Sequence, residues 1–371
     1  MYIFKRKIED KILKSLKKRG IIVLLGPRQS GKTTLVKKIA KDLDGKYFQC
    51  ERADVRRYFV EGNPEELLKL IGKSKLVIFD EAQTIENIGR MLKLFYDTYP
   101  DIKIVATGSS SFELSNKIKE PMTGRATEYI LLPISLEELN IKQKITKKKL
   151  EELLLFGCYP AVINAKTKED KIEELYKIST NYLYKDVFTF EEVRNSKVFE
   201  DLLINLAWSL GSTVSTNKLS NDLGIATDTV ERYIRLLEQA FVIKRVYSFS
   251  RNYSNELKKS YKIYFYDIGV RNVLAGLNKS IEERDDKGAL FEGLFFSELQ
   301  KKNTLQIISP KINFWRTRSG VEIDFVESVG NKIVAYECKW SEEDVSFSLF
   351  KKHYPQASIE VVTPKKWLTL F

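Results

Sequence analysis

Eight consecutive positions near the N-terminus combine residue types and a spacing suited to binding phosphate. The spacing is Gly-x-x-x-x-Gly-Lys-Thr, and the residues are Gly26, Pro27, Arg28, Gln29, Ser30, Gly31, Lys32 and Thr33, followed by Thr34. The glycines permit a backbone that turns several N–H groups inward, and a following helix adds the partial positive charge of its N-terminus. In such a loop Lys32 would contact the β- and γ-phosphates and Thr33 would bind magnesium.

The sequence around this phosphate loop supports the interpretation. An apolar run at 21–25 precedes it, and residues 33–43 have the pattern of a helix. A loop between a strand and a helix is the context in which the motif indicates a nucleotide. The alternative is a glycine-rich turn followed by Lys-Thr by chance. The strand and the helix both fall where the motif needs them, which favours nucleotide binding.

A second apolar run, Leu76–Phe79, ends in the carboxylates Asp80 and Glu81. At the C-terminal edge of a parallel sheet these acids would face the phosphate loop. Asp80 would hold the magnesium through water, and Glu81 would polarise the attacking water. The alternative is a strand that ends in acids without function, which is less consistent with a phosphate loop upstream.

A third apolar run, at 102–106, ends in hydroxyl side chains and supplies further candidates. Ser109 is placed to sense the γ-phosphate, although a serine-rich turn after a strand explains the same pattern. Three arginines could stabilise the transferring phosphate in cis or in trans, and each could equally be a surface charge. They are Arg28, Arg90 and Arg125, of which Arg125 joins Lys32, Asp80, Glu81 and Ser109 in the predicted catalytic set.

Several separate motifs together resemble the prokaryotic AAA-type ATPases, in the branch that carries a C-terminal domain of unknown function with a nuclease-like fold. The motifs lie at 26–34, 80–83, 107–110, 123–125, 132–135, 157–160, 182–187 and 264–269. The resemblance therefore covers most of the chain. It implies ATP as the nucleotide, Mg²⁺ as its cofactor and hydrolysis as the reaction.

Length and composition indicate several soluble domains. With 371 residues the chain exceeds one ordinary core, and 43% of its residues are hydrophobic while 30% are charged. A lysine-rich stretch at 141–150 marks a boundary, so we predict a P-loop ATPase domain at 1–145, a helical region at 146–285 and a nuclease-like domain at 286–371. The lysines could contact nucleic acid or form a solvated linker.

The charge balance and the rare residues restrict the function. A net charge of +12 favours a polyanionic partner such as DNA, or a solvated lysine-rich surface. Three scattered cysteines and one histidine suggest neither a disulfide framework nor a histidine-based metal site. No signal peptide and no run of membrane-spanning length is present, so we expect a cytoplasmic protein without a membrane partner. The oligomeric state stays open.

Residues 214–238 have the pattern of a helix-turn-helix, and 241–248 with 262–266 could add two wing strands. A winged helix that binds DNA would expose polar and basic side chains on its second helix. These would be Asp228, Thr229, Arg232, Tyr233 and Arg235. The acids Asp228 and Glu231 weaken such a face, and packing against protein is the alternative role.

The C-terminal pattern begins with a helix at 289–301 and continues with strands at 306–309, 313–317, 321–327 and 332–340. Asp324 on one strand and Glu337 on the next could hold a divalent cation, with Lys339 orienting the attacking water. This looks like the PD-(D/E)XK nuclease fold, and by resemblance Glu292 matches its additional acid. No proline precedes Asp324, and charged residues on any exposed hairpin imitate the pattern.

The sequence thus predicts an α/β protein: a P-loop NTPase with an AAA-type parallel sheet, a winged helix-turn-helix and a small nuclease-like domain. The favoured function is a magnesium-dependent ATPase that acts as a switch coupled to DNA-interacting domains. An ATP-regulated DNA nuclease and a non-hydrolysing, nucleotide-gated scaffold remain alternatives.

Overall fold

The computed structural model describes residues 4–60, 64–109, 124–139, 146–182, 196–250, 261–277, 279–317, 319–342 and 345–370. Several residues of the predicted motifs and of the lysine-rich stretch lie outside the described residues: Ser110, Thr123, Lys142, Lys144 and residues 183–187. The chain forms two compact units. The first runs to Pro133 and includes Gln239–Phe241, and the second comprises Ile134–Glu238 and Val242–Phe371. No helix in the described ranges combines the length and apolar character needed to cross a membrane.

The first unit alternates strands and helices around one parallel sheet. Its elements are α1 (Lys7–Leu16), β1 (Ile21–Leu25), α2 (Lys32–Asp42), β2 (Lys46–Gln49), α3 (Ala53–Val60), α4 (Pro64–Ile71), β3 (Leu76–Asp80), a 3₁₀ turn (Ala82–Thr84), α5 (Ile88–Thr98), β4 (Lys103–Gly108) and β5 (Ala126–Ile130). The strand order is β2-β3-β4-β1-β5, and every pair is parallel. This confirms the predicted α/β fold with a parallel central sheet.

Burial explains why the apolar runs of the first unit form strands. All five residues of β1 and all five of β3 are buried, as expected for central strands covered on both faces. Helix α1 buries Ile8, Ile12 and Leu16, which are spaced four positions apart and so lie on one face of the helix. All parallel strands end at the same edge, so the phosphate loop after β1 and the acids after β3 lie at one edge of the sheet.

The second unit contains helices and two smaller sheets. Its elements are α6 (Lys147–Phe156), α7 (Pro160–Asn164), α8 (Lys168–Tyr176), a π-helical turn (Lys177–Tyr182), α9 (Ser196–Trp208), β6 (Thr213–Val214), α10 (Thr216–Leu223), α11 (Thr227–Gln239), β7 (Ile243–Tyr247), β8 (Tyr261–Phe265), α12 (Ile268–Leu274), α13 (Lys287–Thr304), β9 (Lys311–Arg316), β10 (Glu322–Val329), β11 (Lys332–Cys338), α14 (Ser348–His353), β12 (Ser358–Val362) and α15 (Pro364–Leu370). The sheets have the orders β6-β8-β7 and β12-β11-β10-β9. All pairs are antiparallel except β11 with β12.

Two motifs of the second unit, at 157–160 and 264–269, interlock. The buried Asp267 carboxylate accepts hydrogen bonds from the N–H of Cys158 at 2.7 Å and of Gly269 at 3.0 Å. Gly157 has φ +70°, and a Cβ there would lie 2.0 Å from Asp267 Oδ1. A Cβ on Gly269 would lie 2.2 Å from the carbonyl oxygen of Phe156. Gly269 is therefore required by a close backbone approach, and Gly157 by its positive φ and the neighbouring Asp267 carboxylate.

Two local predictions for the second unit are wrong. Residues 306–308 form bends and Ser309 has no regular structure, so the predicted strand is not formed, and Ile307 and Ile308 are exposed. Tyr233, expected on the outer face of α11, is buried and packs edge-on against Phe199 at a ring distance of 5.4 Å. The apolar stripe of α11 is thus wider than the sequence pattern indicated.

Candidate functional site

The phosphate loop leaves β1 in a conformation that depends on glycine. Gln29 has φ +60° and Gly31 has φ +100°, both in the left-handed region. A Cβ on Gly26 would lie 2.1 Å from the carbonyl oxygen of Leu131, so only glycine fits at the start of the loop. Helix α2 then begins at Lys32 and directs its N-terminus at the loop, which is the arrangement that favours an anion.

Lys32 is folded into the loop. Its side chain is 4% exposed, and Nζ donates hydrogen bonds to the carbonyl oxygens of Gly26 at 2.8 Å and Pro27 at 3.0 Å. These bonds hold the ammonium group against the backbone at the start of the loop. The positive charge of Lys32 is thereby kept beside the loop.

Three hydroxyl groups converge on the carboxylate of Asp80, which is 2% exposed at the end of β3. Thr33 Oγ1 donates to Asp80 Oδ2 at 2.8 Å, and Thr107 Oγ1 donates to Oδ1 at 2.5 Å. Tyr47 also donates to Oδ2, at 2.6 Å. Burial, followed by Asp80, raises the pKa of Tyr47, so the phenol stays a donor. The structure thus brings Thr33 and Asp80 together, as the sequence predicted.

Glu81 is held beside Asp80 by a second group of polar side chains. Its backbone has φ +54°, and its N–H donates to Thr107 Oγ1 at 3.0 Å. Its carboxylate accepts a hydrogen bond from Gln83 Nε2 at 2.7 Å. The same amide nitrogen is 3.2 Å from the hydroxyl of Ser109. The predicted base and the predicted sensor therefore share one partner.

The residues at this edge fit a magnesium nucleotide. Magnesium prefers oxygen ligands, and Thr33 with Asp80 presents a hydroxyl and a carboxylate in direct contact. The loop supplies the ammonium of Lys32 and leads into the N-terminus of α2, both of which favour a phosphate group. These residues could hold both groups without an additional ligand from elsewhere in the chain.

The three candidate arginines lie in different places. Arg125 directly precedes β5, and its carbonyl accepts a hydrogen bond from Ile21 at the start of β1. It is therefore at the sheet edge opposite the phosphate loop, five residues or about 16 Å along the strand. Arg125 also pairs with Asp97. Within its own chain it cannot reach the loop, which corrects its predicted catalytic role there, and a role toward a second copy stays a prediction.

The other two candidates, Arg28 and Arg90, lie in different surroundings. Arg28, in the loop itself, is 3.9 Å from the carboxylate of Glu51. Arg90 is exposed in the first turn of α5. Of the three arginines, Arg28 alone belongs to the loop sequence, and its role toward a phosphate stays a prediction.

The acids predicted in the C-terminal region lie on neighbouring strands. Cys338 N–H donates to Asp324 Oδ2 at 2.8 Å, and Asp324 N–H donates to Glu337 Oε2 at 3.4 Å. Lys339 Nζ is 3.1 Å from Glu337 Oε1. The side chains are therefore neighbours, but their oxygens are engaged by backbone N–H groups and by the lysine.

A buried lysine adds a cation to these acids. Lys262 on β8 is 3% exposed, lies 3.5 Å from Glu292 and pairs with Glu322. Burial, and then the nearby Asp324, raises the pKa of Glu292 to about 7. Burial and Asp324 likewise raise the pKa of Glu337 to about 7. Burial and the neighbouring carboxylate thus favour the protonated forms of Glu292 and Glu337 relative to ordinary glutamates.

No metal-holding arrangement is found in this cluster. Across the described ranges, no group of three or more His, Cys, Asp and Glu side chains could hold a metal ion. Within the predicted set of Glu292, Asp324, Glu337 and Lys339, the carboxylates contact backbone N–H groups, Lys262 and Lys339, and a cation there stays a prediction.

Helices α10 and α11 and the antiparallel pair β7–β8 follow each other as the sequence predicted. Glu231, one of the acids expected to weaken the outer face of α11, pairs with Arg245 at 2.7 Å and accepts from Thr216 at 2.7 Å. Its charge is thereby neutralised within the unit. Arg235 remains exposed on α11, and Asp228 is exposed at its start.

Two polar residues at the nucleotide site were missed by the sequence interpretation. Thr107 bridges Asp80 and Glu81. The sequence could have indicated this residue, because Thr107 is the first hydroxyl side chain after an apolar run. Tyr47 lies on β2, where Gln49 pairs with Asp80 of β3. Tyr47 is two positions before Gln49, and its hydroxyl reaches the Asp80 carboxylate. This contact depends on the strand register, which the sequence pattern did not show.

Comparison with known proteins extends these observations. The family profile described as an AAA domain matches residues 18–140. Residues 147–281 match a domain of unknown function (DUF8612), and residues 287–366 match another (DUF4143). An uncharacterized protein of Mycobacterium tuberculosis is 26% identical, covering 91% of this chain and 74% of its own length. One of Methanocaldococcus jannaschii is 26% identical, covering 98% and 84%.

Among solved structures, a Walker-type ATPase of Pyrococcus abyssi has a similar fold. The TM-score is 0.52 at 18% identity, and the match covers 73% of this chain and 96% of that one. Residues 18–140 are thus similar to an AAA domain, and the solved structure shows a shared fold.

Proposed function

We propose that the first unit binds ATP with magnesium and hydrolyses it. The observation that carries the proposal is the hydrogen bond between Thr33 of the phosphate loop and Asp80 of β3, with Glu81 held beside it. A hydroxyl, a buried carboxylate and a second carboxylate at the mouth of an anion-binding loop are the parts that phosphoryl transfer to water requires.

Each residue has a separate role in this proposal. Lys32 and the loop N–H groups bind the phosphates, and Thr33 with Asp80 holds magnesium. Bound magnesium neutralises charge that develops on the phosphate oxygens. Glu81 accepts a proton from the attacking water, and Gln83 keeps its carboxylate oriented. Ser109, bonded to the same amide, is placed to respond to the γ-phosphate.

The proposed switch function depends on the segment that follows β5. Leu131 N–H donates to the carbonyl of Leu25, directly before the phosphate loop, at 2.8 Å. Three residues later, Ile134 N–H donates to the carbonyl of Cys158 at 3.0 Å, and the Ile134 carbonyl accepts from Lys301 at 3.0 Å. The carbonyl of Leu132 accepts a hydrogen bond from Arg6 within the first unit, whereas Ile134 is bonded within the second unit. We propose that this short connection transmits a change in the loop.

DNA is the proposed partner of the second unit. The order of two helices and an antiparallel strand pair supports a winged helix, and Arg245 neutralises Glu231. A titration of binding to duplex DNA against salt tests this, because phosphate contacts give an affinity that falls steeply with salt. Arg235→Gln should weaken binding, whereas Lys177→Gln, in the π-helical turn and not on α11, should not. Absence of binding at low salt would remove DNA from the proposal.

An ATP-regulated nuclease is the second candidate. The cross-strand contact of Asp324 with Glu337 and the helix α13 that precedes the sheet support it. The engaged carboxylates and the nearby Lys262 argue against a ready cation site. Incubation of DNA with Mg²⁺ or Mn²⁺ decides the matter: cutting that is lost in Asp324→Ala supports a nuclease, and cutting that persists contradicts this site.

One experiment separates the ATPase from both alternatives. Purified protein is given ATP and magnesium with no DNA, single-stranded DNA or duplex DNA, and phosphate release and DNA integrity are followed in the same samples. Turnover with intact DNA supports the ATPase switch. Nucleotide binding without turnover selects the non-hydrolysing scaffold, and DNA cutting selects the nuclease.

A further inference from the structure

We propose that Arg6 is a positioning residue of the phosphate loop, although it lies outside the loop sequence. This inference rests on the proposed nucleotide binding and names a residue on which that binding depends. Arg6 directly precedes α1 and is 6% exposed. A buried guanidinium is costly unless its donors are bonded, so its partners indicate why it is there.

Two of those partners are backbone carbonyls from distant parts of the first unit. Arg6 Nη1 donates to the carbonyl oxygen of Ser30 at 2.6 Å, and Nη2 donates to that of Leu132 at 2.6 Å. Ser30 belongs to the phosphate loop, and Leu132 follows β5. The planar guanidinium thus spans two carbonyls with two N–H groups in a fixed geometry, which a lysine ammonium does not reproduce.

The bond to Ser30 sets the orientation of one peptide group. In a trans peptide the C=O and the following N–H point in opposite directions. Because Arg6 holds the Ser30 carbonyl, the N–H of Gly31 is directed to the side of the loop away from Arg6. Gly31 has φ +100° and is the residue before α2, where loop N–H groups bind phosphate. Arg6 therefore fixes a phosphate donor that it does not touch.

The charge of Arg6 acts in the same direction. A guanidinium behind the loop, in a site of low dielectric, raises the positive potential at the phosphate position without contacting phosphate. Orientation and charge can be separated by substitution. Arg6→Gln removes the charge and the fork, whereas Arg6→Lys keeps the charge and loses the second N–H of the fork.

The test measures the dissociation constants of ATP, ADP and adenosine by displacement of a fluorescent nucleotide, together with the thermal midpoint of the nucleotide-free protein. Loss of one charge-assisted hydrogen bond should weaken ATP and ADP binding about 10-fold or more in Arg6→Gln, with adenosine unchanged. Arg6→Lys should recover only part of the loss. At saturating ATP, kcat should change by less than about threefold, since ground and transition states lose the same contact.

Arg19→Gln is the matched control. Arg19 is exposed, lies two positions before the start of β1 at the sheet edge opposite the loop, and stacks on Tyr96 at 4.6 Å. The substitution Arg19→Gln removes the same charge from the same unit and should leave ATP affinity unchanged. A purely structural role would lower the thermal midpoint of Arg6→Gln while leaving the ratio of ATP to adenosine affinity as in the wild type.

The outcomes distinguish this inference from the proposed function. If the wild type binds ATP and both Arg6 variants bind it equally well, the inference is contradicted and the proposed function stands. If the wild type binds no nucleotide, the proposed function is contradicted and the inference with it. If Arg6→Gln does not fold, Arg6→Lys decides: wild-type ATP affinity contradicts the inference, and weakened ATP with unchanged adenosine affinity supports it.

Discussion

The hydroxyl of Thr33 lies 2.8 Å from Oδ2 of Asp80, although 47 positions separate the two residues in the sequence. Thr33 is in the first turn of α2, and Asp80 is the last residue of β3. The contact exists because parallel strands end at one edge of the sheet, where the loop after β1 and the acids after β3 meet. It links the phosphate-binding part of the site to its carboxylates.

Thr33→Val should separate magnesium binding from phosphate binding. Valine keeps the shape of threonine but removes the oxygen, so ATP affinity without magnesium should be unchanged, while the gain in affinity with magnesium should be lost. Turnover should fall at least about 10-fold, because charge on the phosphate is less well neutralised. Calorimetric titration of ATP with and without Mg²⁺ measures this.

Thr98→Val provides the control for that substitution. The Thr98 hydroxyl donates within the exposed end of α5, to the carbonyl of Leu94 at 2.7 Å. Its variant should behave as the wild type toward both forms of ATP. Full magnesium dependence in Thr33→Val would contradict the assigned role of Thr33.

Gly157→Ala should strongly destabilise the second unit, whereas Gly276→Ala should not. Both residues have a positive φ, +70° and +67°, which penalises alanine at either position, and Gly157 also has ψ −158°, a combination essentially confined to glycine, so its variant carries additional backbone strain. A Cβ at position 157 would lie 2.0 Å from Asp267 Oδ1, but at position 276 nothing lies within 4 Å. We expect a loss of about 1–2 kcal/mol for Gly276→Ala and about 3–5 kcal/mol for Gly157→Ala. Urea unfolding gives both values, and equal losses would refute the interlocked contact.

Asp286→Asn should destabilise the protein in a pH-dependent manner. Burial alone would raise the pKa of Asp286, but hydrogen bonds from Arg284 and Arg271, at 2.8 and 2.7 Å, lower it to about 2. The unfolded chain binds the proton with the ordinary pKa of 3.8. The stabilisation is therefore complete above about pH 4 and is lost as the pH falls toward 2.

The difference in urea midpoint between wild type and Asp286→Asn should accordingly shrink as the pH is lowered from 7 to 3. The neighbouring Asp285 is exposed and supplies the control Asp285→Asn, which should show little difference at any pH. A difference between wild type and Asp286→Asn that stays constant down to pH 3 would contradict the ion pair.

The parts of the site that the sequence predicted are those encoded by adjacent residues. The phosphate loop follows from glycine spacing between an apolar run and a helix, and Asp80 follows from its place after four apolar residues. Both patterns are local, because a buried strand requires a continuous apolar run and the loop requires glycine at fixed positions. The two helices and two strands at 216–265, and the helix and strands of the C-terminal region apart from the strand predicted at 306–309, followed from similar periodicities.

The remaining contacts depend on partners far along the chain. Arg6 binds carbonyls 24 and 126 residues away, and Lys262 reaches Glu292 and Glu322 from another strand. Sequence periodicity does not reveal such pairs, because the two partners are far apart in the sequence. For Arg6 the partners are also backbone carbonyls, which every residue has. Arg125 shows the converse: its motif indicated a phosphate contact, but the strand direction places it at the wrong edge of the sheet.

Turnover of ATP by Glu81→Gln, compared with wild type and Lys32→Ala, tests the central claim most directly. We expect Mg²⁺-dependent phosphate release by the wild type. Glu81→Gln should keep wild-type ATP affinity and lose about 100- to 10,000-fold in kcat, because it lacks the base. Lys32→Ala should lose ATP binding itself. Wild-type turnover in both variants, or none in the wild type, would contradict ATP hydrolysis at this site.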